Sequence, residues 1–267
     1  MDPRRTVRPV EPVAEEPQPE AAFEPRRGAR TLAALLLHVG PLLAVLGLLG
    51  WLRLVAGVPQ PFPAAADASA LLQDFLLLLL FLVPHSLFAR GFGRRWLNMP
   101  LGPAGERPLY VLHTGVSLCL LALLWRQSGP LLWNLEGVLV VLARLVQVAG
   151  LLLAGWATVA AGIGGMLGVS DLSALRRGQE PPNPEFMALP PYKYVRHPVN
   201  LGNLLLLLGM PEVTLDRLLM LVVLGLWLLL SAAWEERDSE MTFGDAYRAY
   251  KQRTPRWIPR LRAEEAR

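Results

Sequence analysis

A single cysteine, Cys119, stands in the 267 residues and lies inside an apolar run. That excludes a disulfide framework and a cysteine-based metal site, and leaves it the role of a small buried hydrophobe. Charge is scarce as well: 18% of residues are Asp, Glu, Lys or Arg, against 53% hydrophobic. Leu-rich runs of this length are solvated by lipid, so the chain reads as an integral membrane protein. Residues 1–30 lack an apolar core followed by a small-residue cleavage site, so no cleavable signal peptide is expected. Rich in Pro, Glu and Ala, they read as a disordered cytoplasmic tail. No repeat of the solenoid or inverted-repeat kind is visible, which makes a channel or carrier less attractive.

What is present is a series of apolar runs at residues 31–51, 71–89, 108–125 and 137–169, followed by shorter ones at 199–210 and 218–234. The run at 199–210 is below the roughly 20 residues a spanning helix needs. Pro211 with Glu212, Thr214, Asp216 and Arg217 supplies the turn between the last two runs. If all six cross, 22 of the 26 Lys and Arg residues fall on the side of the termini, and only Arg53, Arg126 and Arg217 on the other. By the positive-inside rule both termini are cytoplasmic and the membrane is the inner one. The net charge of +4 and pI near 9.6 are then topology signals, not a nucleic-acid footprint. Arg144 lies near the outer end of the fourth run, where its side chain is expected to snorkel to the headgroups. The expected fold is all-α: a polytopic bundle of about six spans. It divides into the tail 1–30, a four-span region 31–169, a site-bearing region 170–260 and a short tail 261–267.

Tyr192-Lys-Tyr-Val-Arg196-His197-Pro198 ends a cytoplasmic loop and opens a membrane helix. Pro198 suits the first helical turn, where its missing N–H is no loss, and the helix N-terminus favours an anion. Two crossings later the chain returns with Glu235-Glu236, whose carboxylates suit an ammonium or ribose hydroxyls. A zwitterionic amino-acid ligand fits both halves. The plainer reading is that each cluster merely anchors a helix end, but anchoring explains one cluster better than two brought together by a hairpin.

Four motifs in order, Arg196-His197-Pro198-Val199-Asn200-Leu-Gly202, Glu235-Glu236-Arg237-Asp238, Phe243-Gly244-x-x-Tyr247-x-x-Tyr250 and Thr254-Pro255-x-x-Ile258-Pro259, give the chain a family likeness. It resembles the membrane methyltransferase superfamily that includes isoprenylcysteine carboxyl methyltransferases, bacterial methanethiol S-methyltransferases and the NnrU-like proteins. His85-Ser86-Leu-Phe-Ala89-Arg90, Glu106-Arg107-Pro-Leu-Tyr110 and Asp171-Leu-Ser-Ala-Leu-Arg176 are similar to segments of the methanethiol group. The likeness spans roughly residues 31–260. It implies S-adenosylmethionine as cofactor at the cytoplasmic face, contacted by Tyr192, by Arg196 through Asn200, and by Glu235 and Glu236. Alignment of donor and acceptor then dominates the rate, and no catalytic base is named.

Two positions depart from the family pattern. Asn200 replaces a tyrosine, leaving an amide that hydrogen-bonds but does not stack. Ser231 stands where isoprenylcysteine enzymes carry an arginine for the substrate carboxylate, which argues against a prenylcysteine acceptor and for a small thiol such as methanethiol or another lipophilic acceptor. Ser231, His85 and Ser86 are the candidate acceptor-binding residues, with the His85–Ser86 pair equally readable as a helix cap. Tyr247 and Tyr250 read as structural anchors at the interface. Three other readings stay open. One is a haem-binding electron carrier using His38, His85, His113 or His197. Another is a nicotinamide-dependent membrane reductase, and the last a non-catalytic relative.

Overall fold

The computed structural model describes residues 27–57, 65–92, 105–177, 179 and 186–259. The expected terminal tails fall almost wholly outside these residues. The chain runs α1 (Arg27–Ala56), α2 (Ala68–Ala89), α3 (Glu106–Leu124), β1 (Leu131–Asn134), α4 (Val138–Ala160), α5 (Ile163–Met166), α6 (Val169–Arg177), α7 (Pro198–Leu208), β2 (Glu212–Thr214), α8 (Leu215–Phe243) and α9 (Asp245–Arg253). Among the described residues five helices, α1 to α4 and α8, are long and apolar enough to cross a membrane. The expected sixth span is the 11-residue α7. At about 1.5 Å per residue it covers roughly half of a hydrocarbon core. Residues 209–211 and β2 carry the chain the rest of the way to α8.

Two helical pairs are drawn together by small residues, the usual device where lipid removes the hydrophobic drive between helices. In the first, α1 meets α3 at Gly47 and Gly115; a Cβ on Gly115 would come 2.6 Å from the Ala44 backbone nitrogen. In the second, α4 meets α7 at Gly150 and Gly202, where a Cβ on Gly202 would lie 2.6 Å from the Gly150 carbonyl oxygen and 2.8 Å from the Ala154 Cβ. Gly202, the last residue of the first motif, therefore sets how closely α7 lies on α4. Gly202→Val is expected to cost about 1–3 kcal/mol by overpacking, read as a lower melting temperature in detergent. An unchanged melting temperature would show that the crossing is slack.

Where α7 stops short, its open carbonyls need partners, since a helix end leaves acceptors unpaired and lipid offers none. Gln147 supplies one: its amide nitrogen donates to Leu206 O at 3.2 Å and to Val55 O at 3.1 Å. Arg144, expected to reach for headgroups, donates to Ala56 O at 2.5 Å and Gln147 Oε1 at 2.7 Å. Both side chains close helix ends that would otherwise be open in the bilayer.

The turn between the last two runs also differs from expectation. β2 pairs antiparallel with β1, and Thr214, Asp216 and Arg217 are buried. Asp216 accepts from Trp125 Nε1 at 2.9 Å, Ser128 N at 3.2 Å and Thr214 Oγ1 at 2.6 Å. Nearby, Asp67 caps α2 through Ser69 and Ala70, and the bond from the Ser69 side chain above all holds its carboxyl below the ordinary range. Nothing in the spacing of these residues announces such a network; it forms because two strands bring them together. The 137–169 run is likewise interrupted: α4 ends at Ala160, and Gly162 and Gly168, at φ 87° and 70°, turn the chain through α5 into α6.

Candidate functional site

The last motifs meet at one end of the bundle. Pro198 occupies the first turn of α7, as its fixed φ favours, with His197 at the N-cap. The apolar run of α8 ends near Trp234, but the helix does not; it continues unbroken to Phe243 and stops at Gly244, whose φ is 55°. Glu235 and Glu236 therefore sit on a rigid helix, turned about 100° from one another. They cannot face the same way, and they do not.

Glu236 points into protein and is 1% exposed. Arg256 grips it in bidentate fashion, Nε to Oε1 at 2.8 Å and Nη2 to Oε2 at 2.7 Å. Lys251 Nζ lies 3.3 Å from Oε2, and Arg196 Nη1 lies 3.2 Å from Oε1, off the hydrogen-bonding direction and thus an ion pair only. Glu235, by contrast, keeps half of its side chain exposed and borders a cavity of about 600 Å³. The buried His197 ring joins the two, with Nδ1 3.2 Å from Glu235 Oε2 and Nε2 3.1 Å from Glu236 Oε1.

The C-terminal segment closes over this cluster. Arg196 N donates to Pro255 O at 2.9 Å, the Trp257 ring centroid lies 5.7 Å from that of His197, and Tyr250 donates to Tyr192 O at 2.8 Å. Tyr247 is buried, and both tyrosines pack on Phe186. They anchor the structure as expected, but by holding the loop to the helices. Burial, with the Glu236 charge adding to it, pushes the Tyr247 phenol up to about 12. Burial followed by the Glu235 charge raises Tyr192, which places that phenol within electrostatic reach of the site. Both stay neutral donors at physiological pH.

The cavity runs along one face of α8, touching Leu224, Trp227, Ser231, Glu235 and Ser239 in helical register, with walls from α1, α2, α3 and α7. Val199, Asn200, His85 and Ser86 line it too. Asn200 Nδ2 lies 3.4 Å from Glu235 Oε2 and 3.5 Å from Ser231 Oγ. The His85–Ser86 pair lines the cavity with its polar atoms engaged. Trp227 Nε1 donates to Ser86 Oγ at 2.9 Å. Tyr110 OH lies 2.9 Å from His85 Nε2, His85 Nδ1 lies 3.1 Å from Thr114 Oγ1, and that hydroxyl donates to Tyr110 O. The ring of bonds closes when the imidazole is neutral with its proton on Nδ1, and it leaves neither nitrogen free to bind iron.

Motif reading missed Trp227, Asp238, Ser239, Tyr110 and Arg90 as cavity residues. Counting turns back and forward from Glu235 would have found the first three, since all share its helical face. Arg90 closes the His85 segment and reaches the mouth: its guanidinium sits 4.4 Å over the Trp234 ring, and its Nε, 3.9 Å from Asp238 Oδ2, is buried without a hydrogen-bond partner. Among the described lining residues Arg90 alone carries a full positive charge.

The chain is 34% identical over 206 residues to methanethiol S-methyltransferase 1 of Bradyrhizobium diazoefficiens, covering 76% of this chain and 72% of the relative. It belongs to the methanethiol S-methyltransferase family. A second member, from Pseudomonas deceptionensis, is 33% identical over 77% of this chain and 80% of its own. A third, from a Pseudomonas species, is 30% identical over 90% and 93%. No family model and no solved structure matches the chain. The protein is thus a multi-pass membrane methyltransferase, and the cavity beside Glu235 has charged residues at one end and apolar residues at the other.

Proposed function

We propose that this methyltransferase uses S-adenosylmethionine as donor and methylates a thiol, methanethiol being the acceptor named for its relatives. The observation that carries the reading is a cavity with a charged mouth and an apolar interior, lined by Val199 and Asn200 of the first motif and by Glu235 of the second. The mouth suits the donor's zwitterionic end. Glu235 and Asp238 accept from its ammonium, and Arg90, whose buried Nε has no hydrogen bond and lies 3.9 Å from Asp238, pairs with its carboxylate. Tyr192, Arg196, His197, Pro198, Val199 and Asn200 form the loop and helix start beside it. Together with the two glutamates, this group divides: His197 and Glu236 hold the frame, while Glu235 and Asn200 face the ligand.

When bound, the donor supplies an electrophilic methyl on a sulfonium sulfur. The protein's part is to align the acceptor with it and to exclude water, and alignment alone is worth several kcal/mol. Ser86, Trp227 and Ser231 ring the cavity below the mouth. Six crossings, counting α7 with its extension, would put this mouth on the cytoplasmic side of the inner membrane together with both termini.

Titrating detergent-solubilised protein with S-adenosylmethionine in a calorimeter tests the reading. Saturable binding is expected, weakened about tenfold or more in Arg90→Gln, the loss of one charge-assisted contact. Absence of any heat of binding in the wild-type protein would overturn it.

A further inference from the structure

We infer that the acceptor is a thiol bearing an aliphatic chain, longer than methanethiol, with its chain seated in the membrane-embedded end of the cavity. This inference rests on the methyltransferase reading above and deepens it. From Glu235 to Leu224 the cavity follows α8 for eleven residues, about 16 Å at the helical rise. Below the belt of Ser86, Asn203, Trp227 and Ser231 it is walled by Trp51, Leu82, Leu121, Leu207 and Leu224. No charged side chain among the described residues borders that end. An acceptor carboxylate or amine would be stranded there at a cost of several kcal/mol, whereas an alkyl chain loses nothing.

Methanethiol, with one carbon, leaves this end empty. An apolar cavity stays dry, and the side chains around it forgo their packing contacts. Leu48 lines the cavity from α1 and is 47% exposed, adding a further apolar contact for an alkyl chain.

The transfer balances without a further reagent. The thiol sulfur's lone pair forms the new bond to the methyl carbon. The old methyl–sulfonium bond breaks with its electron pair returning to the donor sulfur, and the thiol proton leaves to water at the mouth. The products are an alkyl methyl sulfide and the neutral donor thioether.

The test is a series of n-alkanethiols from methanethiol upward, with KM referred to free aqueous thiol so that detergent partitioning drops out. kcat/KM is expected to rise about three- to fourfold per methylene, as each buried methylene contributes, until the cavity is full, and then to fall. Leu224→Phe should move the optimum to a shorter chain and Leu121→Ala to a longer one. In parallel, alkyl methyl sulfides should raise the wild-type melting temperature in order of chain length, a readout that needs neither turnover nor a variant. A flat or falling profile with methanethiol turned over, and no stabilisation by the longer sulfides, would overturn this inference and leave the methyltransferase reading standing. Failure of every thiol to accept a methyl group would overturn both.

Discussion

Glu236→Ala is expected to unfold the inner end of the methyltransferase. The carboxylate is 1% exposed and is shared by Arg256, Arg196, Lys251 and His197. Removing it strands the largely buried Arg196 and the buried His197, while Arg256 and Lys251 keep more than a third of their side chains in solvent; breaking a buried pair from one side costs up to about 3–5 kcal/mol. Set against total stabilities of about 5–15 kcal/mol, the loss is decisive. The C-terminal segment, tied to the site through Arg256 and through the Arg196–Pro255 hydrogen bond, should become susceptible to proteolysis first. Limited proteolysis and melting in detergent read the outcome. Glu236→Gln keeps the shape and part of the hydrogen bonding, so it should fall between wild type and alanine. A Glu236→Ala protein with wild-type melting and protease resistance would mean that the cluster is not what holds the segment down.

Glu235→Gln is expected to do the opposite: to leave the fold intact and remove the function. The side chain is half exposed and borders the cavity, and its polar contacts include His197, Ser231 and the longer approach of Asn200. Losing its charge removes the partner proposed for the donor ammonium while leaving size and hydrogen-bonding capacity in place. A charge-assisted hydrogen bond contributes about 1.5–3 kcal/mol, so donor affinity should fall about 10- to 150-fold, with the melting temperature of the unliganded protein little changed. The two adjacent glutamates thus separate stability from binding. Equal donor affinity in Glu235→Gln and wild type would remove Glu235 from the site.

These contrasting roles show the limit of motif reading. The order Arg-His-Pro, Glu-Glu and Phe-Gly marks the end of the bundle where these residues gather: Arg-His-Pro opens α7, Glu-Glu follows the apolar run of α8, and Phe-Gly closes that helix. It does not say which glutamate faces which way. That follows from α8 continuing nine residues past its apolar run, to Phe243, and from the tail folding back to bring Arg256 and Trp257 onto the cluster. Arg90 and Trp227 were not singled out as cavity residues because their own segments do not say what they face: Arg90 caps α2, Trp227 lies in the apolar run of α8, and the packing of α2 against α8 puts them at one cavity.

Composition and the lengths of the apolar runs by themselves settled that the chain is a helical membrane protein, because lipid satisfies no backbone group and admits few charges. The order of its polar motifs along the chain pointed to one end of the bundle as the candidate site. Only the tertiary structure decided that the sixth run is a half-length helix, one of whose open carbonyls is closed by Gln147. It also decided that the 212–217 turn is a buried strand and polar network, and that Glu235 opens on a cavity while Glu236 is sealed behind it. Periodicity reports which face of a helix is apolar; what that face meets depends on residues tens of positions away, and on gaps between helices that exist only once all of them have packed.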